Sequence, residues 1–597
     1  MAERLIRIER HATALAAEMP PVRLPEPRPA RDAGSWLPDG LIPVDPLAEP
    51  PEAGLPGRLD PVLALAEGLL PWRAGGTATA VLCADPMRGA AHLPRLSAVF
   101  GGPVRLLPAE PRSLAAALAA TAGRALVARA ETLPPSRSSC RSLPGSALAG
   151  VAALALSLLG GLTLLHPPAV LLGLVALAAL ALVSGAALKL AAVAATLRRP
   201  SPEPASDVRP ARLPVISLLV PLYHETGIAR TLLRRMEALD YPRDLLDLCL
   251  IVEDDDRLTR ATLEATALPP WARIVEVPEG TLRTKPRALN YALAFARGSI
   301  LGLYDAEDVP APDHLHKVAL AFARRGPSTA CLQGALDYHN HRRNWVARCF
   351  TLEYAGWFRV LLPGIQRLGL AVPLGGTTLF LRREALEAVG GWDAHNVTED
   401  ADLGLRLARA GYLTEMIPIA TQEEANFRPW PWVRQRSRWL KGYAVTWAVH
   451  MRDPVRLWRE LGPRRFWGVQ VMFLGAILQF ALAPLLWSFW LLPLGLPHPL
   501  ASLLPPAVLV ALSILFLATQ ALDIAYACVG ARRAGKPGLA FWSPTLMLYF
   551  PLATLAVYKA LWELAARPFH WDKTEHGIDA AVTPPPAPSP RRDGAAS

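Results

Sequence analysis

Asp305, Glu307 and Asp308 directly follow an apolar run, in the stretch ILGLYDAEDVP at residues 300–310. A buried strand that ends in carboxylates presents them where ligands of open α/β sheets bind. Asp305 and Glu307, two positions apart, offer oxygen ligands to a hard divalent cation. A solvated acidic turn ahead of Pro310 and Pro312 is the competing reading of the same residues. Four more sites share this part of the chain. VPLYHE at 220–225 ends in Glu225, and EDDD at 253–256 supplies Glu253, Asp254 and Asp255. KPRALN at 285–290 opens a helix with Lys285 and Arg287, cations suited to a phosphate at a helix start. TED at 398–400 is followed by QRSRW at 435–439. Thr398 is a good N-cap, and acidic residues suit the first turn after it. A helix N-terminus would keep Asp400 ionised and make it a weaker base. Gln435, Arg438 and Trp439 lie in a basic, aromatic stretch that, as an amphipathic helix, suits an anionic lipid surface.

These sites need a scaffold, and the pattern around them supplies one. Across 213–451, short β runs at 215–220, 248–252, 273–277 and 300–304 alternate with helical runs at 229–239, 259–267, 286–296 and 313–324. That alternation predicts an α/β domain with a doubly wound, mostly parallel sheet. Residues 344–364 read as an interfacial helix. Apolar segments flank the domain. Residues 146–165 and 169–188, turned at His166-Pro167-Pro168, are each long enough to cross a bilayer. So are 466–492, kinked at Pro484, and 507–529; 541–564 is interrupted by Pro544 and Pro551. Arg137, Arg141, Arg198 and Arg199 put both ends of the first hairpin in the cytoplasm. Five spans leave the C-terminus outside; a re-entrant last segment keeps it inside. Before the hairpin, 59–135 reads as a small α/β domain, with strands at 78–83 and 104–107 and helices at 86–100 and 112–122. Residues 1–58 read as a disordered Pro-rich tail with a short helix at 2–19. Residues 567–597 form a C-terminal segment with a disordered tail.

Composition agrees. The chain of 597 residues is 52% hydrophobic with net charge +11, and its mean hydropathy is +0.24. A basic, apolar chain suits a membrane surface and anionic ligands. No nucleic-acid-binding motif is present, so nucleic acid is not expected as a partner. The six Cys are scattered without a CxxC pair, which points to neither a disulfide framework nor a zinc site. The start, MAERLIRIERH, lacks the apolar core of a secretory signal.

The DxD-like site, TED and QxxRW, between membrane spans, resemble processive glycosyltransferases of family 2, the cellulose, chitin and hyaluronan synthase group. The resemblance covers 213–451 and the flanking spans. It implies a GT-A type domain, cytoplasmic and held by a multi-pass anchor in a bacterial inner membrane, acting on a UDP-sugar. Glu225 and Glu253, with Asp254 or Asp255, would meet uracil and ribose. Lys285 and Arg287 would meet the diphosphate. Asp305 with Glu307 or Asp308 would hold Mg2+ or Mn2+; the family usually has Asp in the second position. Thr398, Glu399 and Asp400 would form the catalytic triplet, with Asp400 as general base of one inverting displacement. Arg438 would meet the diphosphate, with Gln435 and Trp439 contacting the acceptor sugar. Gly375, Gly376 and Thr377 of LGGTTLF would wall the acceptor side, in place of an FxCGS-like stretch.

Two further matches narrow this. LLPW at 69–72 resembles the N-terminal domain of type II secretion ATPases, a module that binds cyclic di-GMP in some relatives. QEEAN at 422–426, the stretch 439–454 and RPFHWDKTEHG at 567–577 resemble a bacterial subgroup that includes mixed-linkage β-(1,3)/(1,4)-glucan synthases and phage-adsorption membrane proteins. The expectation is a synthase that polymerises UDP-glucose and secretes the growing polysaccharide through its own channel. Mixed-linkage β-glucan is favoured over a cellulose-like or β-(1,3) product. The lipid bilayer, cyclic di-GMP and cell-envelope export proteins are the other expected partners. A catalytically degenerate receptor or secretion component is the non-enzyme alternative.

Overall fold

The computed structural model describes residues 43–75, 78–143, 145–197, 212–225 and 229–566. The helix expected at 2–19, Arg198 and Arg199, the stretch 567–577 and the C-terminal tail lie outside them.

The central region is built on a seven-stranded sheet: β4 (Ile216–Leu222), β5 (Leu246–Glu253), β6 (Ala272–Val277), β7 (Ile300–Leu303), β8 (Thr329–Tyr338), β9 (Leu379–Arg382) and β10 (Leu413–Glu423). Their spatial order is β10-β8-β9-β7-β4-β5-β6. Only β9 runs antiparallel to its neighbours, β7 and β8. The expected doubly wound, mostly parallel sheet is thus the observed one. Successive residues of a strand face opposite layers, and β4 shows it. Leu219 joins one core with Ile251 and Leu303, while Leu218 and Val220 join the other with Leu248 and Leu250. Because β4, β5, β6 and β7 are parallel, the segments after them all emerge at one edge. That edge carries Glu225, Glu253, Lys285 and Asp305.

The N-terminal module is a three-stranded sheet of β1 (Leu69–Gly75), β2 (Ala78–Cys83) and β3 (Val104–Pro108). Strand β1 runs through LLPW in spite of Pro71, where the register shifts between Pro71 and Arg73. The module also begins before residue 59. Val44 N–H donates to the Pro108 carbonyl at 2.9 Å, Trp72 Nε1 donates to the Glu49 carbonyl, and Leu55 is buried in the core. Residues 43–58 are therefore packed rather than tail. Proline richness alone misreads a segment whose few apolar side chains find a sheet to cover.

Helices Gly145–Leu165 and Pro167–Leu197 form the predicted hairpin. Pro167–Leu197 and Pro506–Arg533 are each long and apolar enough to cross a membrane. Pro454–Ala481 with Ala483–Leu491, bent by 59°, and Pro537–Tyr549 with Pro551–Ala566, bent by 45°, raise the number to four if each bent pair is one span. Pro484 explains the first bend, since it has no N–H for the Phe480 carbonyl four residues back. Thr554 Oγ1 donates to that carbonyl at 3.0 Å and Tyr558 Oη to the Ala481 carbonyl at 2.8 Å, so the freed groups are satisfied inside the bundle.

Helix Trp345–Gly356, expected at the membrane interface, is mostly buried instead. It docks the sheet onto the bundle: a Cβ at Gly530 would lie 2.6 Å from the Gly356 nitrogen. Two glycines permit this backbone approach, as small residues do between membrane helices.

Candidate active site

The sheet edge opens into a cavity of about 720 Å3. Glu225 and Glu253 line one end, Lys285, Asp305 and Asp400 the middle, and the cavity continues into the helix bundle to Lys189, Gln479 and Asp523. Glu225 is set by its own N–H, which donates to Thr259 Oγ1 at 2.8 Å. Ahead of it, His224 adopts a left-handed φ of 56°, and its N–H donates to Asp256. Asp256 also caps helix Arg257–Glu264. Asp254 and Asp255 are exposed outside the cavity, and Asp255 pairs with Arg283 at 2.5 Å. Only Glu253 of EDDD reaches the site, because the chain turns away into the next helix. Burial pushes the Glu253 carboxyl up to about 7 against the pull of Arg287. Arg287 itself does not reach the cavity. It is fully buried and donates to Glu253 at 2.6 Å, so its expected contact with a diphosphate is replaced by support of Glu253.

A carboxylate at residue 253 that meets nucleoside N–H or O–H groups must be ionised. For the UDP-sugar that the resemblance implies, UDP affinity should rise from pH 6 to pH 8 with a midpoint near 7. Calorimetry on the wild type and Glu253→Gln checks this: the variant should bind more weakly and show a flat profile.

Asp305 and Glu307 both line the cavity. Asp308 does not. Its buried Oδ2 accepts from Asp305 N–H at 2.8 Å and from Thr377 Oγ1. Between Glu307 and Asp308, the structure thus puts Glu307 in the site and makes Asp308 the brace that shapes the turn. Among the described residues no three His, Cys, Asp or Glu side chains gather as a metal cluster. Two carboxylates are nonetheless what Mg2+ needs when substrate phosphates complete its shell, so the donor set fits a hard divalent cation. Lys285 reaches the same point, its ammonium on Asp305 and 3.1 Å from the Gly376 carbonyl. Burial opposes its charge, but Asp305 and Glu399 outweigh burial and raise its pKa.

Asp400 stands in the first turn of helix Glu399–Arg409. Oδ1 accepts from Ala401 N–H at 2.7 Å, while a Cβ built on Gly376 would lie 3.3 Å from Oδ2. The expected weakening of this base is reversed. Burial raises the Asp400 carboxyl against the opposing pull of Ala401 N–H, Lys285 and Arg438. Glu399, also buried, rises to about 7. Thr398 sits at the N-cap without a capping bond; its side chain is pressed against Gly442, where a Cβ would meet Oγ1 at 2.2 Å. Gly375, Gly376 and Thr377 line the cavity opposite. Gly376→Ala should leave folding intact and cut turnover by about tenfold, a barrier change of about 1.4 kcal/mol, because the methyl occupies the space beside Asp400. Initial rates and melting curves of the variant test it.

Helix Pro429–His450 carries Gln435, Arg438 and Trp439, all facing the cavity. Asn426 Nδ2 donates to Gln435 Oε1 at 2.8 Å. Trp439 lies among Tyr354, Phe350 and the Arg436 guanidinium. Arg436 is no lipid-facing charge: it donates to Glu353 at 2.6 Å and clamps this helix to Trp345–Gly356. Sequence reasoning missed Glu353 and Tyr354, which line the cavity from a helix whose spacing carries no signal, and gave no role to Glu423, which lines it from within QEEAN. It also missed the Lys189–Asp523 pair, 2.5 Å apart between two membrane helices. Isolated ionisable residues in apolar spans were the available clue.

Residues 300–522 match the family model described as glycosyl transferase family group 2, and residues 40–128 match the MshEN domain. Residues 300–522 are thus similar to family 2 glycosyltransferases. The chain is 28% identical over 304 residues to a β-monoglucosyldiacylglycerol synthase of Synechocystis sp. strain PCC 6803, covering 49% of this chain and 60% of that one. It is 26% identical over 331 residues to the UDP-forming cellulose synthase catalytic subunit of Pseudomonas fluorescens, covering 53% and 40%. The chain thus spans three fifths or less of the length of these relatives. Among solved structures, a mannosyltransferase from Pyrobaculum calidifontis in complex with GDP-Man and Mn2+ aligns over 65% of this chain and 99% of its own. The TM-score is 0.43 and the identity 20%.

Proposed function

We propose that this protein is a membrane-embedded inverting β-glycosyltransferase of the bacterial inner membrane. It draws UDP-glucose from the cytoplasm, extends a β-glucan and passes it out through its own helix bundle. Mixed-linkage β-(1,3)/(1,4)-glucan is the favoured product, ahead of a cellulose-like or β-(1,3) chain. One observation carries this reading: a single cavity runs from Glu253 and Asp305, past Asp400 and Trp439, to Lys189 and Asp523 in the bundle. The likeness to a cellulose synthase subunit supports it.

Glu225 and Glu253 orient the nucleoside, and Lys285 and Arg438 face the diphosphate. Asp305 and Glu307 would hold a divalent cation, which would supply charge neutralisation for the departing UDP. Asp400 takes the proton from the acceptor hydroxyl as its oxygen attacks the anomeric carbon. A single displacement turns an α-linked donor into a β-linked product. Trp439 and Tyr354 offer aromatic faces to the acceptor ring. The MshEN match supports cyclic di-GMP as a regulatory ligand of the N-terminal module. Cell-envelope export proteins would receive the product.

Purified protein in vesicles, given UDP-glucose and Mg2+, should yield polymer that a β-glucanase digests, and linkage analysis then names the bonds. A second reading is transfer of one sugar to a lipid. The membrane end of the cavity is walled by Leu182, Leu486 and Phe516, and one relative is named a glucolipid synthase. Product that extracts into chloroform and carries a single hexose would decide for it.

A further inference from the structure

The long helix Pro111–Thr132 leaves the N-terminal module and ends inside the transferase domain. Leu126, Val127 and Ala130 are buried in the same core as Ile251, Val275 and Val277 of the sheet. Asn290 Nδ2 donates to the Ala130 carbonyl at 2.8 Å and to the Trp392 carbonyl at 2.7 Å, which pins the helix end. The next side chain, Glu131, is 7% exposed and enters the loop between β6 and helix Lys285–Ala292.

That loop, residues 278–284, has no helix or strand of its own. The Glu131 carboxylate accepts from three of its donors: Thr281 N–H at 2.7 Å, Thr281 Oγ1 at 2.6 Å and Leu282 N–H at 3.2 Å. Charge-assisted bonds of this kind hold a loop more firmly than neutral ones. Gly280 lets the loop close down, since a Cβ there would lie 2.1 Å from Arg287 Nη1 and 2.4 Å from Glu131 Oε1. Arg287 then bridges inward, 3.7 Å from Glu131 and 2.6 Å from Glu253. It also donates to the Pro278 carbonyl at 2.7 Å. Glu253 and the far end of the loop, Arg283, Thr284 and Lys285, line the cavity. One carboxylate and one guanidinium thus separate the N-terminal helix from the donor end of the site. Glu131 falls between the two family matches, 40–128 and 300–522.

We infer that Glu131 is a positioning residue through which the N-terminal helix sets the donor-binding loop, so that seating of the module controls affinity for the nucleotide sugar. The inference rests on the reading of the cavity as a UDP-sugar site. With Glu131 seated, Thr281 and Leu282 are fixed, Arg287 stays on Glu253, and Lys285 is delivered to Asp305. With Glu131 withdrawn, the loop loses three bonds and Arg287 loses one of its two carboxylates. Donor binding then weakens while Asp400 and Gly376 stay as they are. Coupling is reciprocal, so a ligand that favours the seated helix strengthens donor binding by the factor that donor strengthens its own.

The test uses the full-length protein in detergent, with UDP and Mg2+ as the binding probe and UDP-glucose for turnover. Glu131→Gln and Thr281→Val are compared with the wild type. Glu131→Gln should raise the UDP dissociation constant and the donor KM about 5- to 150-fold, the usual span of coupling between sites, with kcat within about twofold. Hydrogen exchange at the Thr281 and Leu282 amides should accelerate, while exchange in β5 does not. Thr281→Val should show a smaller shift in the same direction. If wild-type protein binds no UDP, the site reading fails. If it binds UDP and Glu131→Gln binds it equally, with exchange at 281 and 282 unchanged, the inference about Glu131 is wrong. A general loss of melting temperature with kcat reduced and KM constant overturns it too, since that is the mark of a purely structural contact.

Discussion

Asp400→Asn is expected to lower turnover about 100- to 10,000-fold, the usual share of a positioned general base. UDP binding should stay within about twofold of wild type, because the donor end of the cavity is built from β4, β5 and the 278–284 loop. The amide keeps the size of the side chain and an oxygen for Ala401 N–H, so melting should change little. The pH profile carries the second half of the prediction. Burial raises the Asp400 carboxyl, and a base acts only when ionised. The acid limb of kcat should therefore begin above the ordinary aspartate range, with Glu399, near 7, adding to the loss on acidification. Steady-state rates from pH 5 to pH 9, with UDP binding measured alongside, check both parts. Near-normal turnover in Asp400→Asn would remove this residue from the base role.

Asp305→Asn should abolish Mg2+-dependent UDP binding, with turnover down by at least about 1,000-fold, since one of two cation carboxylates and the partner of Lys285 go together. Asp308→Ala should behave differently. It removes the carboxylate that both Asp305 N–H and Thr377 Oγ1 donate to, leaving them only the longer bonds to Thr377 Oγ1 at 3.2 Å and the Leu303 carbonyl at 3.3 Å, a loss of about 1–3 kcal/mol. Its mark is a lower melting temperature, whereas Asp305→Asn should melt near the wild type. Thermal melts with and without Mg2+ and UDP separate the two. Equal melting losses in both variants would count against Asp308 as a brace.

The comparison of these neighbouring acids shows where sequence reasoning stops. The apolar run before Asp305 revealed a strand, and its end revealed a site, because a buried parallel strand leaves only its C-terminal edge for polar work. The spacing of Asp305, Glu307 and Asp308 could not say which carboxylate faces the cavity; that depends on Thr377, 69 residues beyond Asp308. Arg287 was visible as a cation at a helix start, yet its direction was set by Glu253 and Glu131. The base strength of Asp400 came out reversed for the same kind of reason. The local helix dipole was legible, and the burial imposed by the folded domain was not.

From its own residues the chain determined the doubly wound sheet, the apolar helices on either side and the motifs TED and QRSRW, because these follow from short-range periodicity and residue chemistry. Only the tertiary structure decided that Glu307 and not Asp308 enters the site. It alone put Arg287 behind Glu253, made residues 43–58 part of a packed module, and set Lys189 against Asp523. Each of these is a contact between segments far apart in sequence, and its energy comes from burial that exists only once those segments have met.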